Sequence, residues 1–548
     1  MSAKLNPVTR PVHIVVTLLV IAGILAACTP SPTAQPTSAA APTTAPAAPT
    51  AAPAQPTQAP QPSGKYGGVL RHAYFAPTNL DPAFYSSISD DEIGRQWGDF
   101  LVYIDEGLRA DPSRSLAEKW SVSADGLTWT FNLRQGVKFH NGEPFTSKDV
   151  KFTFDRLRDE TVGAATVALY ADITEIQTPD DATVVFVLGT ANPDLATNLG
   201  DYHAVIVWSG TKDFKTETIG TGAFTIKSYL PEDRMVFERN PNYWRKDAEG
   251  NQLPYLDGME FIFMAEPAAQ VEALRGGQID YLIYLPSEYV PALESDPNIV
   301  VYQKASNTHY VIHMRSDREP FSDVRVRQAF KAAVDRKAIL DVAIEGLGVT
   351  GRDTPIGPAY AEFYLDVPEP VRDVAKAKQL LADAGYENGL DVTLITQQSS
   401  PVPAIATILK EQLAEAGINV EIQGVPPDVY YGADNLWLEA DFAITDWGAR
   451  AVPQNYLTLA YTCDAKWNES HWCDPELDEL AAAAAKETDS AKRVQLYAQI
   501  QQIFIDRGPA IIAFFGNSLW GATANLKGVV PTGYLGTAVD LAQVYFEK

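Results

Sequence analysis

Leu127, Trp129, Phe131 and Leu133 alternate with Thr128, Thr130 and Asn132, the two-residue period of a strand with one face buried. Shortly after, Asn141-Gly142 predicts a tight turn, and Thr146 with Asp149 three residues on predicts a capped helix start. Val150, Phe154 and Leu157 then share one helical face. A second helix is expected from about Val324, because Val326, Ala329, Phe330, Ala333 and Val334 recur at helical spacing behind the candidate caps Ser322 and Asp323. A third carries Val374, Ala377, Leu381 and Ala384 and stops at Gly385. A fourth carries Ile405, Ile408, Leu409 and Leu413 and stops at Gly417. Glycine suits the left-handed position that ends a helix. The fourth leads straight into Ile418, Val420 and Ile422, which alternate as a strand. Asp474-Pro475 opens a fifth helix, and a sixth covers Val494 to Arg507 before Gly508-Pro509. Strands and helices mix without a regular strand-helix-strand rhythm, and no repeat of solenoid length is present, so the body is expected to be mixed α/β. These helices are scaffold, with no chemistry assigned to them.

The first 64 residues read differently. Lys4 and Arg10 form a short basic region, followed by an apolar run from Ile14 to Ala27 that is short for a membrane span and fits a signal peptide, 1–27. It ends in Leu25-Ala26-Ala27-Cys28, which resembles a bacterial lipobox. That resemblance implies cleavage before Cys28 and lipid attachment to its sulfur. From Thr29 to about Ser63 the chain is almost wholly Pro, Ala, Thr, Ser and Gln. It lacks the apolar residues of a core, so 28–64 is expected to be a lipidated Cys and a semi-stiff tether, with the folded body starting near Lys65.

Length and charge narrow the classes. A chain of 548 residues exceeds what one core organises, so at least two lobes are expected. The formal charge of −26 argues against nucleic acid as a partner, since an acidic surface repels phosphate backbones. There are three Cys. Beyond Cys28, the close pair Cys463 and Cys473 reads as a disulfide outside the cytosol, the rival being a metal site with His471 as third ligand.

Catalytic motifs are sparse. The sequence has no GxxxxGK[ST] phosphate loop, no GxSxG elbow and no HExxH pair. His140 and Glu143 flank the Asn-Gly turn and read as structural. Paired carboxylates could still converge in the fold, so a secreted hydrolase stays among the alternatives. Ten Trp and twenty-four Tyr, many in polar surroundings such as PPDVYYGADNLW, suit the walls of a small-ligand cleft.

Several segments share one order. They are GGVLRHAYFAPTNLDP near Gly67, SLAEKWSVSADGLTWTFNLRQGVKFHNGEPFTSKDVKFTFDRL from Ser115, then GTGAFTIKSY, ERNPNYW and YLDGMEFIF from Gly220. After these come REPFSDVRVRQAFKAAVDRKAI, DVAKAKQLLADAGYENG and PELDELAAAAAKETDSAKRVQLYAQIQQIF. In these the body, from about Lys65 to the C-terminus, resembles the extracellular solute-binding proteins of family 5, the dipeptide- and oligopeptide-binding group.

The resemblance implies a two-lobed periplasmic-binding-protein-like α/β fold of type II, class C. Lobe 1 would span 65–307 with an extra subdomain inserted at about 100–206, lobe 2 would span 308–512, and 513–548 would return to lobe 1. The crossings would lie near Thr308 and Ala513, and the lobes would close over a ligand. It further implies a non-enzymatic, cofactor-free monomer on the outer face of the cell membrane, delivering a peptide or other small solute to the membrane subunits of an ABC permease. In peptide-binding members an Asp after the conspicuous Trp of DFAITDWGARAVPQNYL pairs with the ligand's amino terminus. Here Trp447 holds the aromatic position and Arg450 takes the place of that Asp, with Asp446 nearby. Arg offers a fork of donors to a carboxylate or phosphate and disfavours an ammonium. The other candidate ligand contacts are Tyr74 and Phe75 after the first strand, Thr221 and Gly222 in GTGAF, and Tyr430 and Tyr431 as an aromatic wall. The loop from Cys463 to Cys473 resembles a disulfide loop of dipeptide-binding members that shapes the cleft rim. The alternatives keep the fold with an oligosaccharide, metal chelate or small acid as ligand, or make the chain a hydrolase or a sensory module.

Overall fold

The strand expected from the Leu127–Leu133 alternation forms over Thr128–Leu133, with Trp129, Phe131 and Leu133 buried. The computed structural model describes residues 64–548 apart from Ala165, Ala433, Asp434 and 534–539, so the signal peptide, Cys28 and the tether lie outside the described residues. That strand is interior to a four-stranded antiparallel sheet, flanked by Ala117–Val122 and Thr183–Leu188, with Ile173–Asp180 at the far edge. The helix Ser147–Leu157 buries Val150, Phe154 and Leu157, and the Phe154 ring meets Phe186 edge-on at 5.4 Å. Its start is fixed by Asp149, which accepts the Thr146 N–H at 2.9 Å.

The other expected helices form as Val324–Ala333, Val374–Asp383, Val402–Glu415 and Pro475–Ala484. Asp323 caps the first by accepting the Arg325 N–H at 2.8 Å, and Val334 falls just past its end, still buried. Gly385 and Gly417 follow the second and third with φ of 92° and 87°, the left-handed conformation that costs glycine least. The sixth helix differs from expectation: it begins at Ser490 rather than Val494. Asp489 sets the start by accepting the Lys492 N–H at 3.0 Å, a cap that outranks the first apolar residue as the boundary signal.

A second, twelve-stranded sheet runs the length of the body. Its path is Ile418–Val425, Leu390–Gln397, Phe442–Trp447, Ile299–Met314, Phe514–Thr523, Tyr281–Leu282, Val69–Tyr74, Gly258–Phe263, Arg234–Arg239 and Phe224–Leu230. Ala510–Ile511 and Gly348–Thr350 pair off this path. The sheet carries separate cores. One gathers residues between Leu70 and Ile283 and again from Trp520 to Val544, with a neighbour around Ala73, Leu282 and Leu519. Two others gather residues between Val311 and Phe515. Two long antiparallel strands pass from one group to the other. Ile299–Met314 starts in the core of Leu519 and ends in that of Phe514, and Phe514–Thr523 returns.

Their ladder shifts register between Ala305 and Thr308. The irregular residues are held in place. Ser306 donates to the Gly533 carbonyl at 2.9 Å, while Asn307 donates to the Pro355 carbonyl at 2.8 Å and accepts the Gly357 N–H at 2.7 Å. A Cβ at Gly357 would lie 2.2 Å from the Asn307 side-chain oxygen, so this approach requires glycine.

Candidate functional site

Between the two groups of cores lies a cavity of about 690 Å³, inside the range of small-molecule sites and roomy enough for roughly twenty waters. One side is built by Tyr74, Phe75 and the segment 283–288. The other is built by Tyr310, Asp446, Trp447, Phe514 and the turn 399–401. The long strands supply Thr308 and 516–520.

Sheet register explains the key juxtaposition. Ile299–Met314 and Phe442–Trp447 run antiparallel with Tyr310 opposite Asp446, so these two side chains share a face. Asp446 is the exposed position of an otherwise buried strand. Its Oδ1 accepts Gln397 Nε2 at 2.5 Å and the Tyr431 hydroxyl. Burial and the adjacent Asp446 charge both push the Tyr431 hydroxyl well above the ordinary phenol range.

Trp447 lines the cavity although only 4% of it is exposed. Its indole Nε1 donates to Glu469 Oε1 at 3.1 Å, and the other Glu469 oxygen lies 3.2 Å from His313 Nδ1, all three side chains being buried. Glu469 belongs to the loop closed by the Cys463–Cys473 disulfide, whose Cα atoms are 4.4 Å apart. The same loop brings the Trp467 ring to 6.0 Å from Trp447. The disulfide loop therefore braces the cavity's tryptophan by a buried hydrogen bond and an edge-on ring contact. His471 turns elsewhere, its Nε2 3.0 Å from the Leu438 carbonyl, so the cysteines form the disulfide and not the rival metal site.

The sequence-derived candidates separate. Tyr74 and Phe75 both line the cavity, their rings 4.9 Å apart, and burial pushes the Tyr74 hydroxyl up. Tyr431 reaches the site through Asp446. Tyr430 is fully buried behind it, donating to the Ile444 carbonyl at 3.0 Å. Arg450 does not line the cavity. Its guanidinium carbon sits 5.8 Å from the Trp447 ring centroid, and its main chain is pinned by Tyr456, which accepts its N–H, and Tyr360, which donates to its carbonyl. Thr221 and Gly222 lie in the first core. Thr221 donates to Asp99 at 2.8 Å, and a Cβ on Gly222 would come within 2.4 Å of the Trp97 main chain. Pattern reading missed Tyr284, Tyr310, Phe514, Trp520, Gln397 and Glu469. Asp446 left a signal, a lone carboxylate in the apolar run FAITDW.

A mixed α/β body with a cavity between two groups of cores, crossed by two long strands, defines a two-lobed periplasmic-binding-protein-like fold. Residues 111–468 match the bacterial extracellular solute-binding proteins, family 5, and the chain belongs to that family. It is 30% identical over 476 residues to di/tripeptide-binding protein 2 of Pseudomonas aeruginosa, covering 79% of this chain and 87% of that one. It is 27% identical over 511 residues to heme-binding protein A of Haemophilus influenzae, covering 85% and 91%. Among solved structures, the ABC transporter-associated periplasmic binding protein DppA of Helicobacter pylori, in complex with the peptide STSA, superposes with a TM-score of 0.74 at 27% identity. That match covers 88% of this chain and 99% of the other.

Proposed function

We propose that this protein captures a small solute of the peptide class outside the cytoplasm and hands it to the membrane subunits of an ABC importer. The observation that carries this reading is the cavity of about 690 Å³ between two groups of cores that are joined by one sheet and its long strands. Such an arrangement lets contacts from both sides favour a closed state when a solute is present. The irregular step at Ser306–Asn307 and the return near Ala513 are the proposed hinge points, with lobe 1 over 65–307 and 513–548 and lobe 2 over 308–512. Tyr74, Phe75, Trp447 and Asp446 would contact the solute, and Tyr431 would orient Asp446. The relatives named for di- and tripeptides support the peptide class. The solute would leave chemically unchanged.

Cys28 would carry the lipid that holds the protein at the membrane, with the Pro/Ala/Thr-rich segment as spacer. Replacing Cys28 by Ser should release the protein from the membrane fraction. Retention there would reject the anchor. The capture reading is tested by melting the body from Lys65 onward with a panel of di- and tripeptides, oligosaccharides and nickel chelates. A ligand at a hundred times its dissociation constant should add about 2.7 kcal/mol. No shift with any class would contradict capture.

A further inference from the structure

Charge inside the cavity is one-sided. Asp446 and Glu288 both line it, and among the described lining residues none is Lys, Arg or His. The hydroxyl of Tyr284 is pushed up first by burial and then by Glu288 and Asp446, and that of Tyr310 by burial, Tyr284 and Asp446, so the carboxylates act on rings from both sides of the cavity.

Backbone donors do not redress the balance. Three helices start at the cavity: Ile88–Trp97 and Pro267–Arg275 begin on lining residues, and Val402–Glu415 follows the lining residue Pro401. The first carries Asp90 and Asp91 in its first turn, and the second follows Glu266. In the third, Val402 donates to the Ser399 carbonyl, Ala404 and Ile405 donate to that of Pro401, and Pro403 has no N–H. The positive end of that helix is thus already occupied. Arg450, the anion partner that the sequence offers, stands off the lining, its guanidinium carbon 5.8 Å from the Trp447 ring centroid.

Resting on the capture reading above, we propose that the solute is a small organic cation, an amine or a carboxyl-blocked peptide, whose ammonium meets Asp446 among the rings of Tyr284, Tyr310 and Trp447. Aromatic faces and a carboxylate attract a cation together, and the attraction grows as water leaves. A ligand carboxylate in the same space would lose its hydration, find no basic partner among the lining residues and face two like charges. The formal charge of −26 adds a field that gathers cations at the surface.

The test is titration calorimetry at low salt with four probes of one shape: Ala-Phe amide, the free acid Ala-Phe, N-acetyl-Ala-Phe amide and N-acetyl-Ala-Phe. The amide with its free ammonium should bind at least about tenfold more tightly than the free acid, and the acetylated acid should bind worst. Asp446→Asn, which keeps an acceptor for Tyr431 and Gln397, should remove most of the amide's advantage. Glu288→Gln should remove a smaller part of it. Equal or tighter binding of the free acid, or binding of the free acid that falls tenfold in Arg450→Gln, would overturn the proposal in favour of carboxylate recognition. If no probe binds while an oligosaccharide or chelate does, cation selection fails and capture stands. If nothing binds, both fail.

Discussion

Arg493 and Asp194 are 299 residues apart in sequence and form a two-pronged ion pair, each side chain less than a tenth exposed. Arg493 Nη1 donates to Asp194 Oδ1 at 2.7 Å and Nη2 donates to Oδ2. Asp194 adjoins Leu195 and Ala196 of the first core. Arg493 lies one turn before Tyr497, which packs in the core that holds Trp447. The pair therefore ties the two groups of cores together at a point away from the shared strands.

Breaking this pair from one side should be costly. Arg493→Met leaves a buried carboxylate without its partner, expected to lose about 3–5 kcal/mol, whereas Arg493→Met with Asp194→Leu should recover most of it. Denaturant unfolding of the single and double variants measures both. Because the pair bridges cores, the single variant should also show a larger scattering radius. A single variant as stable and as compact as the parent would mean the tie contributes nothing.

The brace behind Trp447 gives a second expectation. Glu469→Ala strands the indole N–H in a buried setting and should cost about 1–3 kcal/mol, while Glu469→Gln keeps an acceptor and should cost less. Trp447→Ala should weaken solute binding more than Trp467→Ala, since Trp467 is 40% exposed. Unfolding curves and calorimetric affinities for the four variants test this together.

Opening the Cys463–Cys473 loop should act on the same brace. On the chain-entropy account, closing a loop of this length stabilises by about 3 kcal/mol. Cys463→Ser with Cys473→Ser should lower the melting temperature accordingly. It should also weaken solute binding, because Glu469 and Trp467 lie within the loop. Lost stability with unchanged affinity would separate the loop from the site.

Acid should destabilise the fold through buried histidines. Burial holds His72 and His309 down to about 4, with Arg450's charge adding to the effect at His309. Their unfolded values lie near 6.5, so between about pH 6.5 and 4 the unfolded chain binds more protons, and stability is lost as pH falls. Each contributes on the order of 3 kcal/mol. Asp91, raised to about 6 by burial, opposes this, gaining stability as pH falls from about 6 toward 3.8. The clean measurement is a difference: His309→Gln should show a shallower loss than the parent between pH 6.5 and 4. Parallel curves would contradict it.

Local pattern carried much of the fold. Alternation at Trp129, Phe131 and Leu133, the Thr146–Asp149 start, and the glycines at 385 and 417 each act within a few residues, where propensity and burial agree. The cavity was less legible because its walls come from pairings distant in sequence. Tyr310 meets Asp446 only through strand register, Trp447 meets Glu469 only through the disulfide loop, and 516–520 return after two hundred residues. Thr221 looked like a cleft-edge residue in GTGAF, yet Asp99, 122 residues earlier, accepts its hydroxyl in the core. Arg450 was visible as a charge substitution, but its position beside the Trp447 ring rather than in the cavity lining is set by tertiary packing.

On the proposed reading, two bodies close on a solute held between Tyr74 and Trp447 without altering it. Small-angle scattering of the body from Lys65, before and after saturation with the solute that raises its melting temperature, measures this directly. A smaller radius of gyration on binding, and recovery of the same molecule by mass spectrometry, are expected. An unchanged radius, or a solute recovered as a different compound, would contradict it.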